Sequence, residues 1–198
     1  MNDSPATRPS LLVRIRDPRD GPAWSQFVEI YAPLIYGFSR KTGLQDADAA
    51  DVTQEVLRSV AGAVTNLEYD PQRGSFRGWL FTIVRNRLRN FQGRKPADAG
   101  SGDTGVHQRL LEQPAPAADQ ASWWEQEYDR QVFHWAAAQV RNDFQGSTWQ
   151  AFWQTAVEGK SGKEVARELQ MTVAAVYLAK GRVMTRLKEQ IQLIQEEF

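Results

Sequence analysis

The chain has 198 residues, 24 basic and 24 acidic side chains, two histidines and no cysteine. The balanced charge excludes a general polyanion binder, so positive charge acts only where it is local. The missing thiols exclude disulfide frameworks, cysteine zinc sites and thiol nucleophiles, and His107 and His134 are too few for a histidine metal cluster.

Residues 1–9 are polar and proline-containing and read as a loose tail without the apolar core of a signal peptide. No apolar run approaches the length of a membrane span, so no membrane partner is expected. Ser10 is placed to cap a short helix carrying Leu11, Leu12 and Ile15, which Asp17-Pro18 ends. Asp20-Gly-Pro22 signals the next helix start. Trp24, Phe27, Val28 and Tyr31 follow at helical spacing, Pro33 is expected to break or bend the chain, and Leu34, Ile35 and Phe38 continue the apolar face to a C-terminal signal at Gly43.

Asp46 to Val60 predicts a further helix, with Val52, Val56, Leu57, Val60 and Val64 inward. Asp48, Asp51, Gln54 and Glu55 are left outside. Asp46 and Asp48 suit a helix N-terminus through capping and the macrodipole. Asp51 and Glu55 lie beyond the first turn, where that reason fades. Tyr69–Gly74 is a turn-rich loop containing Arg73.

Ser75 to Asn90 carries Phe76, Trp79, Leu80, Ile83, Val84 and Leu88 as an amphipathic stripe. Arg77, Arg85 and Arg89 follow in steps of four or eight, with Asn86 and Arg87 nearby, and no acidic residue lies between Pro71 and Ala97. Aromatics beside unneutralised arginines suit a phosphate backbone and exposed bases; a solvated surface helix is the plainer alternative. Gly93–Ser122 is rich in Gly, Pro, Ala and Asp and reads as a linker, with His107 solvated in it.

The remainder is helical again. Trp124, Tyr128, Val132 and Trp135 keep helical spacing, and Ser147 is placed to cap a helix bearing Trp149, Phe152, Trp153, Ala156 and Val157. Aromatics this dense point to the core of a small domain. Ser161-Gly-Lys-Glu164 matches a capping box before Val165, Ala166 and Leu169. Gln170-Met171 makes a turn and Thr172 caps a longer helix with Val176, Ala179, Val183 and Leu187 inward. Tyr177, Lys180, Arg182 and Arg186 are left on or near the outside, so the pair reads as a helix-turn-helix. Gly159-Lys-Ser161 imitates the end of a P-loop, but position 154 is Gln154 and no strand precedes it, so nucleotide binding has no support. No carboxylate pair or nucleophile–base set stands out, and an enzyme is not expected.

An acidic helix, a basic aromatic helix, a linker and a helix-turn-helix, in that order, resemble the bacterial RNA polymerase sigma factors of the extracytoplasmic-function (ECF) group. The resemblance covers roughly residues 10–95 and 124–190. Asp46-Ala-Asp-Ala-Ala-Asp-Val-Thr-Gln-Glu-Val56 looks like the polymerase-clamp-binding helix, Ser75 to Leu88 like the promoter-melting and minus-ten-reading segment, and Glu164 to Leu187 like the minus-thirty-five reader. Departures are Asn90, where an acidic residue is frequent; Phe91-Gln-Gly93, which interrupts a basic run; Gln170, in place of a turn glycine; and Ala179 and Gly181 in the reading helix.

The resemblance implies an all-α protein of two small helical domains joined by a flexible linker: a region 2-like domain at 10–95, a linker at 96–122 and a region 4-like helix-turn-helix domain at 123–198. It implies polymerase binding through Asp48, Asp51, Gln54 and Glu55. It implies DNA contacts from Arg73, Arg77, Arg85, Asn86 and Arg89 in the first domain, and from Thr172, Tyr177, Lys180, Arg182 and Arg186 in the second. The implied partners are core RNA polymerase and promoter DNA, with an anti-sigma factor among those the family admits. A cytoplasmic protein without cofactor or metal is expected. Two other readings are a ligand-responsive helix-turn-helix repressor or activator and a helical scaffold. The first lacks a polar pocket in its N-terminal half, and the second leaves both basic patches unexplained.

Overall fold

The computed structural model describes residues 11–65, 75–93 and 118–195, and the regular structure among them is entirely helical. No described helix is long and apolar enough to cross a membrane. The helices are α1 (Leu11–Arg14), α2 (Gly21–Lys41), α3 (Asp46–Val64), α4 (Phe76–Gly93), α5 (Ala118–Val140), α6 (Gly146–Ala156), α7 (Gly162–Glu168) and α8 (Val173–Gln195), with a 3-10 turn at Arg141–Asp143. The chain divides into two compact units between Gln131 and Val132, inside α5.

The first unit is built on α2. Asp20 caps it: its carboxylate accepts from the Ala23 amide at 3.0 Å and from the Arg14 guanidinium at 2.9 Å. Those bonds, the one from Arg14 foremost, hold the Asp20 carboxyl below its ordinary pKa. Of the expected break or bend at Pro33 there is no break; α2 runs through it to Lys41. A proline in a helix interior costs one backbone hydrogen bond. Here Ile30, Tyr31, Leu34 and Ile35 around it are fully buried, and their burial offsets that loss. Gly43, at φ +97°, ends the element as a left-handed residue that glycine adopts without penalty.

Helices α2, α3 and α4 pack in succession. Val52, Val56, Val60 and Val64 of α3 and Phe76, Leu80, Ile83, Val84 and Leu88 of α4 are buried. Ser75 starts α4 by accepting from the Gly78 amide, and the helix continues through Phe91 and Gln92 to Gly93.

The first part of α5 completes this core. Trp124 lies 5.7 Å from Phe38 and 5.0 Å from Phe81, and Tyr128 lies 5.7 Å from Tyr31. Trp124 and Tyr128 are therefore core residues of the first unit, although their spacing alone suggested a second-domain core. Helical periodicity identifies which face is buried but not which neighbour covers it. The expected linker lies mostly outside the described residues, and its end, Ala118–Ser122, begins α5.

The second unit has two apolar clusters. Ala136, Ala137, Val140, Trp149, Phe152, Val183 and Leu187 form one. Ala151, Val165, Ala166, Val176 and Ala179 form the other, between α6, α7 and α8. Ser147 lies inside α6 rather than capping it, since the helix begins one residue earlier and Gln145 holds the cap position without a side-chain bond. Ser161 and Glu164 close a reciprocal capping box on α7. The turn after α7 places Gln170 at φ +53°, with the Met171 amide bonded to the Ala166 carbonyl at 2.9 Å. That bond is the outer bond of a Schellman closure, usually built with glycine. Thr172 then caps α8 by accepting from the Ala175 amide.

Candidate nucleic-acid and partner interfaces

Helix α3 turns its valines inward, which leaves Asp51 and Gln54 exposed and Asp48 half-buried. Gln54 accepts from Arg58 at 3.1 Å, one turn on. Asp46 does not cap the helix; it pairs with Arg40 at 2.9 Å and accepts from the Tyr36 hydroxyl at 3.2 Å. Glu55 differs from its neighbours. It is half-buried on the side facing α4, with Oε2 3.9 Å from Arg87 Nη1. Arg87 also donates to Ser59 at 2.8 Å. Glu55 thus has a partner within the unit that sequence spacing did not reveal.

The arginines of α4 do not form one bare face. Arg77 is half-buried at the start of α4, where its guanidinium pairs with Glu125 of α5 at 3.1 Å and lies 4.6 Å from the ring centre of Tyr128. The counter-charge missing from the local sequence arrives from residues far along the chain. Arg85 is half-buried, 5.9 Å from the Phe81 ring, while Arg89 is exposed. Asn86 is half-buried, and its Oδ1 is covered without a hydrogen-bond partner. The outward side of α4 is thus carried by Arg85, Asn86 and Arg89, which the helical angle places within one third of a turn of each other. Phe81, absent from the expected stripe, is buried because α5 covers a second side of α4. Arg73 lies outside the described residues.

In the second unit α7, a four-residue turn and α8 form a short helix–turn–long helix pair. Thr172 stands at the start of the long helix, and its hydroxyl is engaged as the cap. Tyr177 is 58% exposed, yet one edge of its ring lies on Gly162. A Cβ at position 162 would fall 2.9 Å from Tyr177 Cζ, so glycine is what admits the ring there. Lys180 is half-buried. Arg182 is exposed, and no carboxylate pairs with it among the described residues. Arg186 is instead bound at home, to Asp143 at 2.9 Å and to Glu189 at 3.5 Å.

Sequence reasoning passed over Leu178. At 64% exposure it is the most exposed large apolar side chain among the described residues. Its position on α8 is opposite Val176, Val183 and Leu187, in line with Gly181 and Thr185. The helical period alone carries that placement, but an aliphatic side chain has no charge or hydrogen-bonding group to mark it as a contact.

Residues 27–95 match the Sigma-70 region 2 family. The chain is also similar to the ECF RNA polymerase sigma factor RpoE of Cereibacter sphaeroides, with 37% identity over 78 residues. That similarity covers 39% of this chain and 42% of the relative, so the chain spans less than half of the relative's length. Among solved structures, CnrH in complex with the cytosolic domain of CnrY aligns at 21% identity over 92% of this chain and 95% of that one, with a TM-score of 0.36. The matched segment runs from Phe27 in α2 through α3 and α4, the elements that carry the acidic and basic residues described above. Through this segment the chain is similar to sigma-70 region 2 and to an ECF sigma factor.

Proposed function

We propose that this chain is a sigma factor: it binds core RNA polymerase, directs it to specific promoters and assists their melting. The match of residues 27–95 to sigma-70 region 2 is the observation that carries this reading. The acidic side of α3, with Asp48, Asp51 and Gln54, meets the polymerase clamp. Glu55 contributes to that surface while also bracing α4 through Arg87. The polymerase supplies the catalysis.

On α4, Arg85, Asn86 and Arg89 hold the displaced non-template strand, joined by Arg73 from the preceding loop. Arg77 acts as a positioning residue that ties α4 to α5. Melting follows from favouring flipped, unstacked bases. Extrusion costs a few kcal/mol per base, which phosphate and stacking contacts offset. In the second unit α7 and α8 dock as a helix-turn-helix in the major groove of the minus-thirty-five element. Arg182 and Lys180 contact phosphate, and Tyr177 stands beside the groove. Arg186 orients α8 through Asp143 more than it contacts DNA.

Transcription from candidate promoters with core polymerase, with and without this protein, tests the reading. Promoter-specific initiation and permanganate-reactive thymines near minus ten are expected only when the protein is present. Unaided binding to a palindrome, with no stimulation of core polymerase, would replace this reading with a stand-alone helix-turn-helix regulator.

A further inference from the structure

The outward surface of α8 is built around an aliphatic side chain. Leu178 projects opposite the buried Val176, Val183 and Leu187, and at 64% exposure it is largely uncovered in the described structure. Gly181 follows one turn later, and beyond its chain neighbours and its own helix backbone nothing lies within 4 Å of where its Cβ would be. Around them is a shallow depression of about 460 Å³, whose lining includes Tyr177, Leu178, Gly181, Arg182 and Arg186. Tyr177 forms one wall. One edge of its ring lies close to Gly162. Arg182, exposed and without a carboxylate partner among the described residues, stands on the other side.

A large exposed leucine gains nothing from water, and a glycine in a helix interior costs about 1 kcal/mol relative to alanine. Neither choice serves the stability of α8. Both suit a surface that must approach another closely and bury something apolar there. On a double helix the apolar group available in the major groove is the C5-methyl of thymine. A cation one turn away matches the flanking phosphates.

We propose that Leu178, walled by Tyr177 and given room by Gly181, reads the methyl group of one thymine in the upstream promoter element. The proposal rests on the sigma-factor reading above and deepens it by naming a specificity-determining residue and the group it recognises. Arg182 positions the helix on the backbone, while Leu178 discriminates between bases. A cytosine at that site lacks the methyl, as does deoxyuridine, which otherwise presents the same hydrogen-bonding edge as thymine.

The experiment uses the full chain assembled with core polymerase, on the upstream element obtained by selection from random duplexes. Each thymine of that element is replaced singly by deoxyuridine, and affinity is measured for the wild type and Leu178→Ala. Burial of one methyl group is worth about fourfold in affinity. At one thymine the wild type should lose about fourfold on replacement. Leu178→Ala should bind the thymine duplex correspondingly more weakly and be indifferent to the replacement at that position.

Equal sensitivity of both proteins at every thymine would overturn the proposal. So would insensitivity of the wild type at all of them, or a selected element without thymine. Leu178 is exposed, so circular dichroism of Leu178→Ala should match the wild type. If the variant is misfolded, Leu178→Val supplies the same comparison with a graded loss. Failure of the holoenzyme to select any element is a different result, and it would remove the sigma-factor reading itself.

Discussion

Glu55 on α3 faces Arg87 on α4 across 3.9 Å, while Asp51, one turn earlier on the same helix, is exposed. Two carboxylates four residues apart would be a mutually repelling pair on an isolated helix. In the folded unit they have separate environments. Reversal of each charge should therefore have separate consequences. Asp51→Arg should leave the melting temperature unchanged and weaken capture by core polymerase in a pull-down, less severely as salt rises. Glu55→Arg should also lower stability, by about 1 kcal/mol, because it sets a cation against Arg87. Equal melting temperatures for the two variants would remove the bracing role of Glu55.

The α4 arginines divide in a similar way. Arg77→Ala removes an ion pair with Glu125 and a cation–π contact with Tyr128, and should destabilise the first unit by about 1–2 kcal/mol in chemical denaturation. Arg85→Ala with Arg89→Ala should lower stability by no more than about 1 kcal/mol, the Arg85 contact with the Phe81 ring being the part lost. That double variant should impair promoter opening more than initial binding, as read by permanganate. A pre-melted promoter should rescue it; no rescue would mean that these residues do not act in melting.

On α8, Arg182→Ala should weaken promoter binding by the holoenzyme and reduce the slope of log affinity against log salt by about one unit. Arg186→Ala should lower stability slightly, through loss of its bonds to Asp143 and Glu189, with a smaller change in slope. Salt titrations of both variants in parallel check this. An unchanged slope for Arg182→Ala would place that side chain off the DNA.

Gln170 occupies a left-handed backbone conformation that costs a side-chain-bearing residue roughly 1–2 kcal/mol. Gln170→Gly should relieve part of that strain, offset by the greater freedom of glycine in the unfolded chain. A net gain of about 0.5–1 kcal/mol in the second unit is expected in denaturant unfolding. A loss would show that the Gln170 side chain contributes more to the turn than its backbone costs.

Glu164 is held below its ordinary pKa, first by its side-chain bond with Ser161 and then by the Ser161 amide. A depressed folded-state pKa stabilises the protein above the unfolded value, and that contribution is lost as pH falls through the folded one. Glu164→Gln keeps a capping-box side chain but not its charge. The wild type should therefore be the more stable at neutral pH, and the difference should shrink as the solution is acidified below the usual carboxylate range. Thermal unfolding of both proteins across that range is the measurement. A pH-independent difference would assign the effect to geometry alone.

The sequence by itself determined the all-helical class, because apolar residues recur at the helical period from Leu11 to Ile194. It also determined the end signals whose chemistry is local: Asp20 before Pro22, Gly43, the Ser161–Glu164 box and Thr172. Each of these acts on backbone within three residues, so neighbours in sequence suffice. Only the tertiary structure decided where those faces pair. Pro33 stays inside α2 because burial around it outweighs one lost hydrogen bond. Trp124 and Tyr128 join the first unit, Arg77 finds Glu125, Arg87 finds Glu55 and Arg186 finds Asp143. Each of these pairings joins residues more than thirty positions apart. The period of a helix reports the direction of a side chain, whereas its partner depends on which helix is brought against it.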